Sequence, residues 1–278
     1  MSGILYVVGT PIGNLSDMTA RAVDTLRAVD FIAAEDTRVT LKLLNHFDIK
    51  KPLVSYHKYS VNSVAENICN RILSGESCAV VTDAGMPCIS DPGEELVKLA
   101  ALSGIKTVPV PAASAVVTAL AVSGLSTARF AFEGFLPVPK KQRKEALVRL
   151  KNDTHTLIFY EAPHKLKDTL ADIYEAFGDR KISLCRELTK IHEEIIRTTL
   201  SEAVTIYDGD NLPRGEFVLV IEGAKETDEK CEITLDEAAE KAQTLIDGGM
   251  KPTEACKLIA KETGFSKGEI YGIISNKE

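Results

Sequence analysis

Three times in its first 115 residues the chain runs an apolar, strand-like stretch straight into a tight turn of small residues: LYVVGTPIGN from Leu5, VTDAGMPCISDPG from Val81 and TVPVPAASA from Thr107. Turns of this kind hold a ligand mostly with backbone, and strand ends are where open α/β sheets place their ligands. Around them, strand-like runs at residues 4–8, 31–34, 53–56, 79–82 and 107–110 alternate with helical periodicity near residues 19–29, 39–47, 61–73 and 94–103. Alternation predicts a largely parallel sheet with helices on both faces, so the fold class is α/β.

Pro109 and Pro111 close this first part, and Ser114 is placed to cap a helix running through Val122. Beyond it, strands are expected near residues 130–135, 156–160, 182–186, 194–198 and 217–221, with helices near 166–177 and 201–206, which predicts a second α/β sheet. The polar stretch 224–232 reads as a linker. After it, Thr234 with Glu237 and Ser266 with Glu269 each fit a capping box, and Pro252 suits a first helical turn. Three short helices follow, the last two joined through Gly264 with the outline of a helix-turn-helix. The expected organisation is two α/β domains, residues 1–112 and 113–224, with a ligand cleft between them, plus a helical appendage over 233–278. From Gly249 to Lys277 five Lys face three Glu, so the appendage reads equally as a packing element or as an RNA reader.

At 278 residues the chain is long enough for two domains with separate cores. With 45% apolar and 26% charged residues it has the proportions of a soluble globular protein, and it contains no apolar run long enough to predict a transmembrane helix. The opening MSGILYVVGT lacks a signal-peptide pattern, so the expected location is cytoplasmic. The six Cys and five His are scattered, and His192-Glu193-Glu194 lacks the second His of a metalloprotease helix; no metal and no disulfide framework are expected.

A net charge of −7 argues against a protein that coats nucleic acid indiscriminately. Charge is nevertheless uneven, because residues 139–151 hold six Lys and Arg against the single Glu145. Lys140, Lys141, Arg143 and Lys144 are therefore candidate RNA-phosphate ligands, the plainer alternative being a solvated helix face. Neither GxGxxG after a strand, nor a P-loop, nor GxSxG occurs, which removes the dinucleotide, P-loop and hydrolase readings.

The three strand-turn segments together resemble the tetrapyrrole methylase superfamily. A narrower resemblance, to the small-subunit ribosomal RNA methyltransferases of that superfamily, is carried by GTPIGNLSDMTARA from Gly9, AAEDTR from Ala33, TDAGMPCISDPG from Thr82, FEGFLP from Phe132, FYEAPHKL from Phe159, CRELTK from Cys185 and RGEFVLVIEG from Arg214. It implies S-adenosylmethionine as cofactor, bound between the two α/β domains, and 2'-O-methylation of a cytidine ribose in small-subunit ribosomal RNA or the assembled small subunit, by a homodimer. Carried onto this sequence, it implies cofactor contacts from Pro11, Asp83, Ala84, Gly85, Ile89, Ser90, Ser114, Ala115, Glu161, Ala162, Gly215, Glu216 and Phe217.

A ribose hydroxyl is a poor nucleophile at neutral pH and must be oriented and deprotonated. Candidates for that work are Glu35, Asp36, Glu133 and Glu187, with Arg38 as a bidentate phosphate ligand; for Glu35, Asp36 and Arg38 the alternative is a charge cluster at a helix N-terminus. No single base is assigned. Two places depart from the family pattern: Ala112 stands where a Gly is usual after Pro111, so its backbone must avoid positive φ, and HKYSVN after Tyr56 lacks the usual His-Asn-Glu, so His57 is given no catalytic role. The alternatives are carbon methylation of a tetrapyrrole ring, which needs a broad apolar trough and no RNA patch, and a non-catalytic ribosome-assembly factor that merely retains the cleft.

Overall fold

The computed structural model describes residues 2–57, 62–209, 214–225 and 234–275. The loop after Tyr56 and the linker over 224–232 fall largely outside them. Residues 1–224 pack as one compact unit and residues 225–278 as a second.

The first sheet contains β1 (Ile4–Val8), β2 (Phe31–Ala34), β3 (Leu53–Ser55), β4 (Cys78–Val81) and β5 (Lys106–Val110), all parallel, in the order β3-β2-β4-β1-β5. Between them run α1 (Ala20–Ala28), α2 (Thr37–His46), α3 (Asn62–Leu73) and α4 (Glu94–Leu102). The period of two along each strand explains how both faces are covered. Phe31, Ala33, Cys78 and Val80 point to the side of α3 and α4, where Ile68, Ile72, Leu96 and Ala100 meet them. Ile32, Ala34, Ala79 and Val81 point to the other side, against Val23, Leu26 and Leu44 of α1 and α2.

The order of strands also fixes where a ligand can sit. After β1 the chain crosses β4 to reach β2, whereas after β4 it crosses β1 to reach β5. The two connections leave in opposite directions from adjacent strands, which opens a crevice at their carboxyl ends. A bridge between Thr10 and Gly85 ties the two loops together there, with the Thr10 amide donating to the Gly85 carbonyl at 2.9 Å.

The second sheet holds β6 (Phe130–Phe135), β7 (Thr156–Glu161), β8 (Lys181–Arg186), β9 (Glu194–Thr199) and β10 (Phe217–Ile221) in the order β6-β7-β10-β8-β9. Only β6 and β7 are parallel, and the other pairs run antiparallel. One face packs on α6 (Lys140–Leu150), α7 (Leu166–Phe177) and α8 (Leu200–Ile206), with Leu147, Leu170, Ile173 and Leu200 fully buried. The other packs on α5 (Ala115–Ser123) through Val116, Ala119 and Leu120. Ile12, from the loop after β1, joins this second cluster, so a loop of the first sheet is anchored on the second.

Residues 225–278 contain α9 (Leu235–Asp247), α10 (Pro252–Thr263) and α11 (Lys267–Ser275). The Thr234–Glu237 capping box forms as expected, and Gly264 takes the left-handed conformation that ends α10. Ala238, Ala242, Cys256, Ile259 and Ile270 make its small core. Among the described residues no helix is long and apolar enough to cross a membrane, and no group of three His, Cys, Asp or Glu is placed to hold a metal.

Candidate active site

A cavity of about 360 Å³ opens at the crevice, between the loops after β1, β4 and β5 and the edge of the second sheet. Eleven of the thirteen residues expected to contact a cofactor line it: Asp83, Ala84, Gly85, Ile89, Ser90, Ser114, Ala115, Glu161, Ala162, Glu216 and Phe217. Pro11 instead lines a neighbouring cavity of about 270 Å³ on the α2 side. Gly215 lines neither; its contribution is conformational. It has φ +92°, and a Cβ there would lie 2.2 Å from Cγ of Glu187, so only glycine lets Glu187 fold back over it.

Local backbone chemistry builds the walls. Gly85 turns the loop after β4 with φ +82°, and Cys88 and Ser90 follow at +74° and +63°. Opposite them, Glu187 and Thr189 hold φ values of +49° and +67°. Four of the five non-glycine residues with positive φ among those described therefore sit in the two loops facing this cavity, the distribution expected where surrounding structure enforces a binding conformation. Ala112 is not among them, as its missing glycine required. Gly9 supplies the room instead: a Cβ on Gly9 would come within 2.6 Å of both the Ala112 Cβ and the Met86 sulfur.

Ser114 stands at the N-cap of α5, yet its side chain makes no capping bond. Ser114 and Ala115, at the start of α5, both line the cavity, a natural place for a carboxylate.

Three carboxylates line one wall: Glu35, Asp83 and Asp91. Glu35 follows β2 and accepts from the Thr82 hydroxyl at 2.5 Å and from the Asp83 amide at 3.3 Å. Asp83 accepts from the Asp36 amide at 3.2 Å; loss of water around it, then the charge of Glu35, raise its pKa. Asp91 is pushed up to about 6 by burial and by Glu35 and Asp83, against the pull of a Thr82 hydrogen bond. Across the cavity, burial and then Asp91 push the Tyr160 hydroxyl up to about 12. Asp91 and Tyr160 were not singled out from the sequence, although both lie inside quoted motifs, ISDPG and FYEAP. What marks them is burial together with carboxylates that the fold brings beside them, which no linear spacing carries.

Because Asp91 holds its proton more tightly folded than unfolded, its contribution to stability falls as pH rises from about 4 to about 6 and is lost above that. Asp91→Asn is expected to raise the thermal midpoint of the free protein at pH 8, by a margin that shrinks toward zero at pH 4. A pH-independent margin in thermal denaturation would refute this.

The remaining catalytic candidates separate. Glu187 lines the cavity and accepts from Lys190 Nζ at 2.8 Å and from the Glu216 amide at 3.0 Å. Burial pushes its pKa up, but the Lys190 and amide bonds together outweigh burial and leave it lowered, so it is an ionised anchor and a weak base. Asp36 and Arg38 are spent on one another: Asp36 caps α2, accepting from the Arg38 amide at 2.8 Å, and holds its guanidinium at 2.6 Å. Arg38, led by its side-chain bond and aided by its amide, holds Asp36 well below the usual carboxylate range. Neither lines either of these two cavities, and their pairing is that of a charge cluster at a helix N-terminus. Glu133 is exposed at a bulge between Phe132 and Gly134 and also lies outside both cavities. Glu161 is buried and braced by the Ala162 amide at 2.8 Å and the Thr169 hydroxyl at 2.6 Å.

The basic run must be corrected. Arg143 is only 8% exposed and makes a buried pair with Asp172 of α7 at 2.6 Å, so it cannot meet phosphate. Its place on α6, one turn before buried Leu147, turns it inward. Lys144 is paired with Glu175 at 2.7 Å. Lys140 and Lys141 remain exposed, with no ion pair among the described residues.

Residues 4–204 match the model of the tetrapyrrole (corrin/porphyrin) methylases. Over 273 residues the chain is 49% identical to ribosomal RNA small subunit methyltransferase I of Halalkalibacterium halodurans, spanning 98% of this chain and 94% of the relative. It is 48% identical to the protein of the same name from Bacillus subtilis, spanning 97% and 93%. The crystal structure of uroporphyrin-III C-methyltransferase from Thermus thermophilus with S-adenosylhomocysteine superposes with TM-score 0.55 at 16% identity, over 78% of this chain and 97% of that one. The chain belongs to the tetrapyrrole methylase family, and within it to the group whose near-full-length relatives are named ribosomal RNA small subunit methyltransferase I.

Proposed function

We propose that this chain transfers a methyl group from S-adenosylmethionine to the 2'-oxygen of a cytidine ribose in small-subunit ribosomal RNA. The observation that carries it is a ligand-sized cavity at the sheet's switch point, with Glu35, Asp83 and Asp91 along one wall, in a chain whose relatives bear an RNA methyltransferase name. The residues suit the cofactor. The carboxylates favour a sulfonium cation; Ser114 and the start of α5 suit the amino-acid carboxylate; and Ile12, Ala115, Phe135, Leu188 and Val218 offer apolar surface for adenine.

When bound, the cofactor supplies an electrophilic methyl group: the ribose oxygen gains the carbon, the old bond's electron pair stays on sulfur, and the hydroxyl proton must leave. Asp83 and Asp91, whose pKa values are both raised toward neutrality, are the groups best suited to take that proton. A tritiated-methyl transfer assay offering unmethylated small subunits, large subunits and a porphyrin precursor tests the proposal. Label only in small-subunit RNA is expected. Label in the porphyrin would favour the tetrapyrrole reading, and failure to bind S-adenosylmethionine in calorimetry would favour the non-catalytic one.

Lys140 and Lys141 are proposed to meet RNA phosphate. Replacing both by Ala should flatten the salt dependence of RNA binding by about 1.4 to 1.8 in log–log slope, at about 0.7 to 0.9 per contact, with cofactor affinity unchanged. An unaltered slope would mark α6 as an ordinary solvated face. The same reading takes the protein to be a cytoplasmic homodimer, which light scattering of the full chain tests.

A further inference from the structure

The second cavity, of about 270 Å³, shares Asp83 with the first, so one carboxylate faces both. Its inner wall is Thr10, Pro11 and Thr82, and α2 closes it with Val39, Thr40 and Leu43. Thr40 is 3% exposed, and its hydroxyl finds no hydrogen-bond partner among the described residues. That is unusual for a helical threonine, whose hydroxyl can return to the carbonyl four residues earlier. Thr25, Thr205, Thr244 and Thr263 of this chain all do so, at 2.7 to 3.1 Å. Thr40 is therefore a buried, unpaired hydroxyl in the wall of this cavity, an unmet hydrogen-bonding group that a ligand seated against α2 can satisfy once the wall gives slightly. At the rim, Lys42 is exposed and carries no ion pair among the described residues.

We infer that this cavity takes the acceptor nucleotide, turned out of the RNA, and that the larger cavity takes the cofactor; the inference rests on the methyltransferase reading above. Apolar Pro11, Val39 and Leu43 suit the faces of a base. Thr40 supplies a hydrogen bond to its edge, Lys42 meets the flanking phosphate, and Asp83 stands between the two ligands, where the ribose hydroxyl must lose its proton. The Pro11 contact expected from family resemblance is thereby reassigned from cofactor to acceptor.

Val39→Trp and Thr40→Val, made in the full chain, separate the possibilities. Calorimetry with S-adenosylmethionine, filter binding of unmethylated small subunits without cofactor, and methyl transfer to them are the readouts. Val39 lies partly at the helix surface, so Trp can be accommodated while filling the cavity. Expected results are unchanged cofactor affinity, weaker subunit binding and transfer slowed about 10²-fold for Val39→Trp. For Thr40→Val, kcat/KM should fall about tenfold, with recovery in Thr40→Ser. Loss of cofactor binding in either variant would give the cavity to the cofactor, and wild-type transfer in both would leave it without a ligand; each outcome overturns the inference. If the unmodified protein binds cofactor but labels no small subunit, the parent reading itself fails, and the acceptor assignment with it.

Discussion

Asp83→Asn is expected to slow methyl transfer by about 10² to 10⁴-fold, the range over which a positioned general base contributes. Asn keeps the shape of the side chain and can still accept the Asp36 amide at the Asp83 position, so the loop should hold its conformation. What disappears is the carboxylate common to both cavities, whose pKa is raised by its partly dehydrated setting and by Glu35. The pH profile separates this role from simple cation attraction: loss of a base should remove the acid limb of kcat, whereas loss of attraction alone should raise the dissociation constant of S-adenosylmethionine and leave the limb in place. Cys88→Ala is the control. Its thiol packs against Gly93, where a Cβ would come within 2.6 Å of the sulfur, and does not line either cavity. Equal transfer by Asp83→Asn and Cys88→Ala would remove Asp83 from the chemistry.

Arg143→Ala is expected to destabilise the protein by about 3–5 kcal/mol, the cost of stranding one member of a buried ion pair. Three bonds are lost together: Nε and a terminal nitrogen to Asp172 at 2.7 and 2.6 Å, and the other terminal nitrogen to the Val138 carbonyl at 3.2 Å. They hold α6 to α7, and Asp172, 5% exposed, is left with a buried charge when they are removed. For a unit of this size the loss corresponds to a drop of about 10 °C or more in thermal midpoint. Arg143→Met combined with Asp172→Leu should recover much of it, because a well-packed apolar pair avoids the desolvation cost altogether. A wild-type midpoint in Arg143→Ala, accompanied by weaker RNA binding, would instead restore Arg143 to the phosphate patch.

These two residues show where reading the sequence succeeds and where it stops. The position of Asp83 was legible because a strand-turn junction is a local event: the short apolar run of β4, buried throughout, then a small-residue turn at Gly85, place it at a strand's carboxyl end whatever the rest of the chain does. Arg143 was misread because a run of basic residues on a helix reports charge but not which side of the helix is covered. Facing was decided by α7, packed against it from outside the run. The same limit hid Asp91 and Tyr160, each ordinary in its own motif: Asp91 is perturbed by burial and by Glu35 and Asp83, Tyr160 by burial and by Asp91.

The sequence alone determined the alternation of strands and helices, both sheets, the caps of the terminal helices and the turns that surround the cavity, since each follows from periodicity and from conformational preferences within a few residues. Tertiary structure alone decided which acids meet. Glu35 and Asp83 lie 48 positions apart and join through the Thr82 hydroxyl and the Asp83 amide, because β2 and β4 are neighbours in the sheet. It also decided that Pro11 and Thr40 face a cavity of their own. Burial and pairing are properties of what surrounds a side chain, and those surroundings come from segments distant along the chain, beyond the reach of any local pattern.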